Sequence, residues 1–250
     1  MKDWKVPGIL ILLAILALEV GWLAGHPRET AAQPSPDAPM TDIASPSPTA
    51  EPTPTPESVP LPEHDWQIAI ASAAHPLEGE YEVETVPVGN GYLFDARAAD
   101  ALNAMLDAAQ KDGMGLYICS AWRSRATQEQ LYENRVYRFQ LEGYGREEAE
   151  ERAAAVVARP GTSEHELGLT IDFLTTGYSV LDSGFAEQPE YAWLREHCAE
   201  YGFIERYPNG KGDITGIIWE PWHYRYVGAE VAEYIMSNGL CLEEYLELIA

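Results

Sequence analysis

The sequence predicts an α+β domain with a small, mostly antiparallel sheet and packed helices, preceded by a membrane anchor and a disordered stalk. Three observations support this fold class. Apolar residues at helical spacing recur through residues 95–157, short β-like runs cluster between residues 169 and 226, and helical patterns return in residues 229–249. Helices and short strands in separate runs are typical of α+β folds.

Residues 1–25 are predicted to form a membrane anchor or a signal segment. The apolar run of residues 6–24 is interrupted only by Glu19, and it is close to the roughly 20 residues that a bilayer-spanning helix needs. Lys2 and Lys5 lie on its short N-terminal side, which favours a cytoplasmic N-terminus. We therefore expect the rest of the chain to be extracytoplasmic and held at the cell membrane.

A cleaved signal peptide is the alternative for this segment. Its purest apolar stretch, residues 8–18, has only the length of a signal-peptide core. However, the sites that follow Ala24 or Gly25 lack the usual small residue three positions earlier, where Trp22 or Leu23 stands. The sequence favours an uncleaved anchor, and cleavage would instead give a secreted protein.

Residues 26–62 are predicted to form a disordered stalk, because they are rich in Pro, Ser and Thr and poor in residues that could build a core. The prolines favour extended conformations, so the stalk should be semi-rigid. Residues 63–250 then form one folded domain of ordinary size.

The elements of this domain follow from local patterns. The first helix, residues 95–110, carries apolar residues at helical spacing and is followed by Gly113. A buried strand is expected at 116–120, and helices at 127–141 and 146–157. Further strands are predicted at 169–174, 203–207, 216–219 and 222–226, with a helix at 190–201 between the first two. The last helices are predicted at 229–237 and 242–249.

The charge and the cysteines exclude several classes of protein. A formal net charge of −24 repels nucleic acid, so we expect no nucleic-acid partner. Cys119, Cys198 and Cys241 have neither C-x-x-C pairing nor the spacing of a zinc ribbon. We interpret them as small buried residues. A Cys198–Cys241 disulfide is the alternative for an exported protein.

Two histidines and one aspartate stand out as candidate metal ligands. His165 and Asp172 lie seven residues apart in a Gly-containing segment, and His223 ends the sequence W-E-P-W-H. Two imidazoles and a carboxylate are a ligand set that catalytic zinc uses. Glu220, three residues before His223, could act as a base. The alternative, that these are merely hydrogen-bonded polar residues, stays open on this chemistry alone.

These motifs resemble those of VanY-like zinc D-alanyl-D-alanine carboxypeptidases. Residues 163–172, S-E-H-E-L-G-L-T-I-D, resemble the family signature S-x-H-x-x-G-x-A-x-D, and E-P-W-H resembles the second signature. Further matches, in the family's order, are S-A-W-R-S at 120–124, P-G-T at 160–162, Y-G-F-I at 201–204, R-Y-P at 206–208 and Y-R-Y-V-G at 224–228. The resemblance covers about residues 65–248.

The resemblance implies roles for individual residues. It makes His165, Asp172 and His223 the ligands of one Zn²⁺ per chain, and Glu220 the general base. It places Arg123 at the oxyanion or on the substrate carboxylate. The remaining substrate-side candidates are Gln128, Ser163, Trp122 and Tyr207. Together with Trp219 and Trp222, the two aromatic residues among them could line the cleft, although packing in the core is the alternative for such side chains. Two departures, Trp122 after Ala121 in place of Gly-Tyr and Thr170 in place of alanine, leave the proposed ligands and the base intact.

The function implied is a zinc D,D-carboxypeptidase that hydrolyses the terminal D-Ala of peptidoglycan stem peptides. An L,D-carboxypeptidase or a wall endopeptidase would use the same zinc site, and the sequence does not separate them. A non-catalytic wall-binding module would be marked by a missing ligand or base, and all four positions are occupied here. The expected partners are stem peptides and, through residues 1–25, the membrane. The sequence does not predict the oligomeric state.

Overall fold

The computed structural model describes residues 58–250, which form two antiparallel β-sheets and seven α-helices. In chain order the elements are β1 (Thr85–Val88), β2 (Tyr92–Asp95), α1 (Ala99–Lys111), β3 (Leu116–Ser120), α2 (Arg125–Leu141), α3 (Arg146–Ala154), β4 (Thr170–Thr175), α4 (Pro189–His197), β5 (Phe203–Glu205), α5 (Gly212–Thr215), β6 (His223–Tyr226), α6 (Ala229–Ser237) and α7 (Leu242–Ile249). The predicted α+β class with small antiparallel sheets is confirmed.

The larger sheet has four strands in the order β3-β4-β6-β5, and each neighbouring pair is antiparallel. Strand β4 lies in the middle and is buried along its whole length. A register shift between Ile118 and Ser120 interrupts the pairing of β3 with β4. Such a bulge changes the direction of the side chains at the end of a strand. It lies directly before the loop that carries Arg123.

The main core covers one face of this sheet. Ile171 and Phe173 alternate along β4 and pack with Tyr224 of β6, because every second side chain of a strand points to the same face. Helix α1 contributes Leu102 and Met105 from its buried side. The opposite face of β4 and β6 is therefore free to carry polar side chains.

A second core joins the last two helices to the sheet. Ile235 of α6 and Leu242 of α7 pack with Ile204 of β5. Val59 packs against this cluster, and the hydroxyl of Tyr245 donates a hydrogen bond to the carbonyl of Pro60 over 2.7 Å. The last residues of the predicted stalk thus lie against the domain.

The β1–β2 hairpin was not predicted from the sequence. The expected first helix began at residue 95, but Asp95 ends β2 and the helix begins at Ala99. The signal for a hairpin was present at Asn90-Gly91, since both that dipeptide and the positive φ of Gly91 (97°) suit a tight turn. The flanking strands are only four residues long, which made their alternation hard to recognise.

The strand predicted at 216–219 is wrong. Helix α5 ends at Thr215, Gly216 caps it in the left-handed conformation (φ 73°), and residues 217–222 follow as a loop. Ile217 and Ile218 gave the β-like signal, but the Ile218 side chain is 60% exposed and has no neighbouring strand to pack on. The other predicted strands and helices are present, with ends shifted by up to four residues.

Two remaining expectations concern the cysteines and the N-terminal segment. Cys198 and Cys241 are buried and free, so the alternative of a disulfide between them is wrong, while Cys119 is half-buried and free. The predicted anchor and nearly all of the predicted stalk lie outside the described residues. Within residues 58–250, none of the helices is long and apolar enough to cross a membrane.

Candidate metal centre

Local structure brings His165, Asp172 and His223 together on the face of the sheet opposite the main core. His165 lies in a short 3₁₀ helix, Glu164–Leu167, that leads into β4. Asp172 on β4 and His223 on β6 are direct partners in the antiparallel register. Paired residues of neighbouring strands point to the same face, so the carboxylate and the imidazole meet.

The three side chains converge on a small volume. Asp172 Oδ2 lies 3.2 Å from His165 Nε2, and Asp172 Oδ1 lies 3.0 Å from His223 Nδ1. One ligand atom from each residue lies within 4.8 Å of the others, and all three residues are buried. The two imidazole rings are nearly perpendicular, with centroids 5.2 Å apart.

Hydrogen bonding fixes the tautomer of His165. Its Nδ1 lies 2.7 Å from the carbonyl oxygen of Ala121, which can only accept, so Nδ1–H donates. This leaves Nε2 without a proton and directed at Asp172. A metal-binding histidine is commonly oriented in this way by a backbone carbonyl.

The protonation states also suit a metal. Burial and the nearby Arg123 guanidinium lower the pKa of His165 to about 4, so its imidazole is neutral at pH 7. Burial alone would raise the pKa of Asp172, but the two facing histidines outweigh it and hold that pKa below its usual range. Two imidazole nitrogens and one carboxylate oxygen therefore fit zinc and leave a coordination position open.

Glu220 lies at the edge of this group. Its Oε2 is 3.4 Å from His223 Nδ1, and its side chain is 20% exposed. Residues 220–223 form a turn that is closed by a hydrogen bond of 3.0 Å from the His223 N–H to the Glu220 carbonyl. Burial raises the pKa of Glu220 to about 7, a value suited to a group that takes up and returns a proton near neutral pH.

Arg123 lies close to the metal centre. Its backbone N–H donates to the carbonyl of His165 over 3.1 Å. Its Nε is buried and has no hydrogen-bond partner within residues 58–250. Burial lowers the pKa of Arg123 while Asp172 and Glu220 raise it, which places the guanidinium close to both carboxylates. A cation with an unused, buried donor can bind an anionic group of a substrate.

The other predicted substrate contacts differ in their surroundings. The Tyr207 ring packs on the His223 ring at 4.7 Å between centroids, and Trp122 lies over Gly168 at the end of the His165 helix. Ser163 is buried directly before that helix. Gln128 is buried, and its Nε2 donates to the Ala158 carbonyl over 2.7 Å while its Oε1 has no partner among the described residues. Its side chain makes no hydrogen bond to a residue of the metal centre within residues 58–250.

A buried ionic network behind the metal centre was missed in the sequence. Arg206 Nε donates to Glu164 Oε1 over 2.9 Å, and Arg225 NH1 lies 3.1 Å from Glu164 Oε2. Arg206 also makes two hydrogen bonds, of 2.8 and 2.6 Å, to the Glu243 carboxylate on α7. Glu164 directly precedes His165, so this network fixes the backbone next to a ligand. Glu164 and Arg206 stood inside the recognised motifs, but nothing in the sequence indicated their pairing.

Comparisons with known proteins find a matching family model and similar sequences. The family model described as VanY, D-alanyl-D-alanine carboxypeptidase, matches residues 92–229. The D-alanyl-D-alanine carboxypeptidase of Enterococcus faecalis strain V583 is 39% identical over 184 residues, which cover 74% of this chain and 67% of that protein.

Solved structures show the same similarity. A mutant of the vancomycin resistance D,D-pentapeptidase VanY from a VanB-type cassette, in complex with Zn(II), has a TM-score of 0.64 and 38% identity, covering 73% of this chain and 99% of that one. VanYB in complex with D-alanine-D-alanine has a TM-score of 0.65 and 38% identity, with coverages of 73% and 98%. The LdcB LD-carboxypeptidase has a TM-score of 0.63 and 36% identity, with coverages of 72% and 86%.

Proposed function

Because this chain belongs to the VanY family of D-alanyl-D-alanine carboxypeptidases, we propose that it is a zinc-dependent D,D-carboxypeptidase that removes the terminal D-Ala of peptidoglycan stem peptides. The observation that carries the proposal is the convergence of His165, Asp172 and His223, with Glu220 next to them. The four residues supply a complete set of ligands and a base. A module that only binds wall peptides would not need the base.

In this proposal His165 Nε2, Asp172 and His223 Nδ1 hold one zinc ion. Zinc, when bound, acts as a Lewis acid toward water and the scissile carbonyl. The Ala121 carbonyl keeps the His165 proton on Nδ1, so that Nε2 can bind the metal. The Tyr207 ring on His223 excludes solvent from one side of the second imidazole.

Glu220 and Arg123 carry the steps that belong to the protein. Glu220 accepts a proton from the attacking water, and the oxygen of that water bonds to the scissile carbonyl carbon. Glu220 then returns the proton to the nitrogen of the departing D-alanine as the C–N bond breaks. Arg123, with an unused buried donor, stabilises the negative charge on the carbonyl oxygen or holds the substrate carboxylate.

A second activity uses the same residues. The similarity to the LdcB LD-carboxypeptidase favours, as an alternative, removal of D-Ala from a tetrapeptide by cleavage of an L,D bond. The zinc-loaded protein should be incubated with a pentapeptide ending in D-Ala-D-Ala and with the corresponding tetrapeptide. Faster loss of one D-Ala from the pentapeptide supports the D,D assignment, and exclusive cleavage of the tetrapeptide would replace it.

We also propose that residues 1–25 hold the enzyme at the cell membrane, with the catalytic domain outside the cytoplasm. The apolar run of residues 6–24 and the proline-rich residues 26–62 support this location. Cell fractionation of the full chain should recover it with membranes. Recovery in the medium, with a new N-terminus near residue 26, would favour signal cleavage.

A further inference from the structure

The loop that carries Glu220 is held by backbone hydrogen bonds, among them His223 N–H to the Glu220 carbonyl and Phe173 N–H to the Trp222 carbonyl, each over 3.0 Å. Within the described residues, no side-chain hydrogen bond holds the Glu220 carboxylate, and its ionic neighbour is His223 Nδ1 at 3.4 Å. Because His223 Nδ1 is a proposed zinc ligand, it cannot also be the anchor of the base. The Glu220 N–H donates to the carbonyl of Tyr207 over 3.2 Å. The position of the carboxylate must therefore depend largely on the backbone on either side of it.

Trp219 supplies an anchor on the N-terminal side of Glu220. Its indole N–H donates to Glu205 Oε1 over 2.8 Å, while the preceding Ile218 is 60% exposed. Pro221 restricts the backbone on the other side. The base is thus held between a proline and a tryptophan that is hydrogen-bonded to another element.

Glu205 is itself rigidly held. It lies at the end of β5 with its side chain 2% exposed. Its Oε1 also accepts a hydrogen bond of 3.1 Å from the Tyr191 hydroxyl, and its Oε2 forms an ion pair with Arg195. Tyr191 and Arg195 belong to α4, so a strand and a helix fix this carboxylate. A hydrogen bond to a buried, ionised acceptor is stronger than one between neutral groups.

We infer that the Trp219–Glu205 hydrogen bond is a positioning device for the catalytic base. Trp219 acts through the backbone of the next residue, and Glu205 is its fixed acceptor. The inference rests on the proposed function, since it assigns Glu220 the role of the base. A displacement of about 1 Å can lower turnover by about 100-fold, so loss of this anchor should reduce the rate although Glu220 itself is retained.

Trp193 of α4 provides a matched control, because its indole N–H also donates to a carboxylate, Asp112 Oδ2 at 2.8 Å, but Trp193 neither adjoins the base nor contacts Glu205 by a hydrogen bond. Trp219→Phe and Trp193→Phe should be prepared in the full-length, zinc-loaded protein and compared with the wild type. We expect kcat of Trp219→Phe to fall by about 10- to 100-fold, with KM and zinc content near wild type. Trp193→Phe should keep kcat within about twofold, whatever its melting temperature.

A second variant removes only the hydrogen bond. The amino acid 3-benzothienylalanine at position 219 keeps the size of the indole and replaces its N–H by sulfur, so packing against Tyr191 is retained. It should lower kcat as Trp219→Phe does. Wild-type turnover in this variant, or an equal loss of kcat in Trp193→Phe, would overturn the inference. A wild-type protein that binds zinc but hydrolyses no D-Ala-D-Ala peptide would instead overturn the proposed function.

Discussion

The carboxylate of Asp172 and the imidazole of His223 face each other across two paired strands, with Oδ1 and Nδ1 3.0 Å apart. Residue pairing in the sheet sets this distance, since both residues are direct partners in the register of β4 and β6. The site therefore needs no loop rearrangement to bring these two groups together. The two residues lie 51 positions apart, so their contact is not evident from the sequence.

Asp172→Ala should weaken zinc binding. Loss of a residue that only orients a ligand lowers metal affinity by about 10- to 100-fold, and loss of a ligand should lower it by more. Zinc content after dialysis should fall well below one ion per chain, and added zinc should restore part of the activity. Retention of a full zinc complement at wild-type affinity would contradict the assignment.

Glu220→Gln should separate metal binding from turnover. Glutamine keeps the size of the side chain but cannot act as a base, so kcat should fall by roughly 100- to 10,000-fold. Zinc content and melting temperature should stay near wild type. If kcat on D-Ala-D-Ala peptides were near normal, Glu220 would not be the base.

Arg123→Lys tests whether the guanidinium contributes more than its charge. Lysine retains a positive charge but loses the planar set of donors, so kcat/KM should fall by about 100-fold while zinc content stays constant. Arg152→Lys is the control, because Arg152 forms an exposed ion pair with Glu148 on α3. Similar effects of both substitutions would argue against a role for Arg123 at the substrate.

Glu243→Gln should destabilise the fold. Arg206 is 1% exposed and would lose the charged partner that binds two of its nitrogens, which should lower the free energy of unfolding by about 1–3 kcal/mol. Urea unfolding of the full chain measures this change. Glu148→Gln, which breaks an exposed helical pair with Arg152, should change it by less than about 0.5 kcal/mol. Equal effects would mean that the buried network is not stabilising.

Much of the fold could be predicted because it depends on local patterns. Strand β3 and helices α6 and α7 have the bounds expected from their apolar periodicity. The hairpin at 85–95 was not predicted because its strands are short. A strand was wrongly predicted at 216–219 because two isoleucines lie there on a loop. The strands of the hairpin pair with each other across a short turn, whereas residues 216–219 pair with no strand among the described residues. Apolar content alone does not distinguish these two cases.

The metal ligands and the base of the site could be predicted from the sequence, but the residues that support them could not. His165, Asp172, His223 and Glu220 lie in two short motifs that resemble family signatures, and this resemblance, rather than their chemistry alone, assigned them together. Among the supporting residues, Glu164 pairs with Arg206, which is 42 positions away, and Trp219 reaches Glu205 only when the loop is folded. Such pairs depend on the register and packing of the sheet, which no local pattern encodes.

Release of D-alanine by the full-length protein, measured by mass spectrometry with and without zinc, tests the central claim most directly. The substrate should be a pentapeptide ending in D-Ala-D-Ala. We expect release of one D-alanine per peptide, loss of this activity on removal of the metal by a chelator, and its return with about one zinc per chain. Equal release from metal-free protein, or no release from protein that holds one zinc per chain, would contradict it.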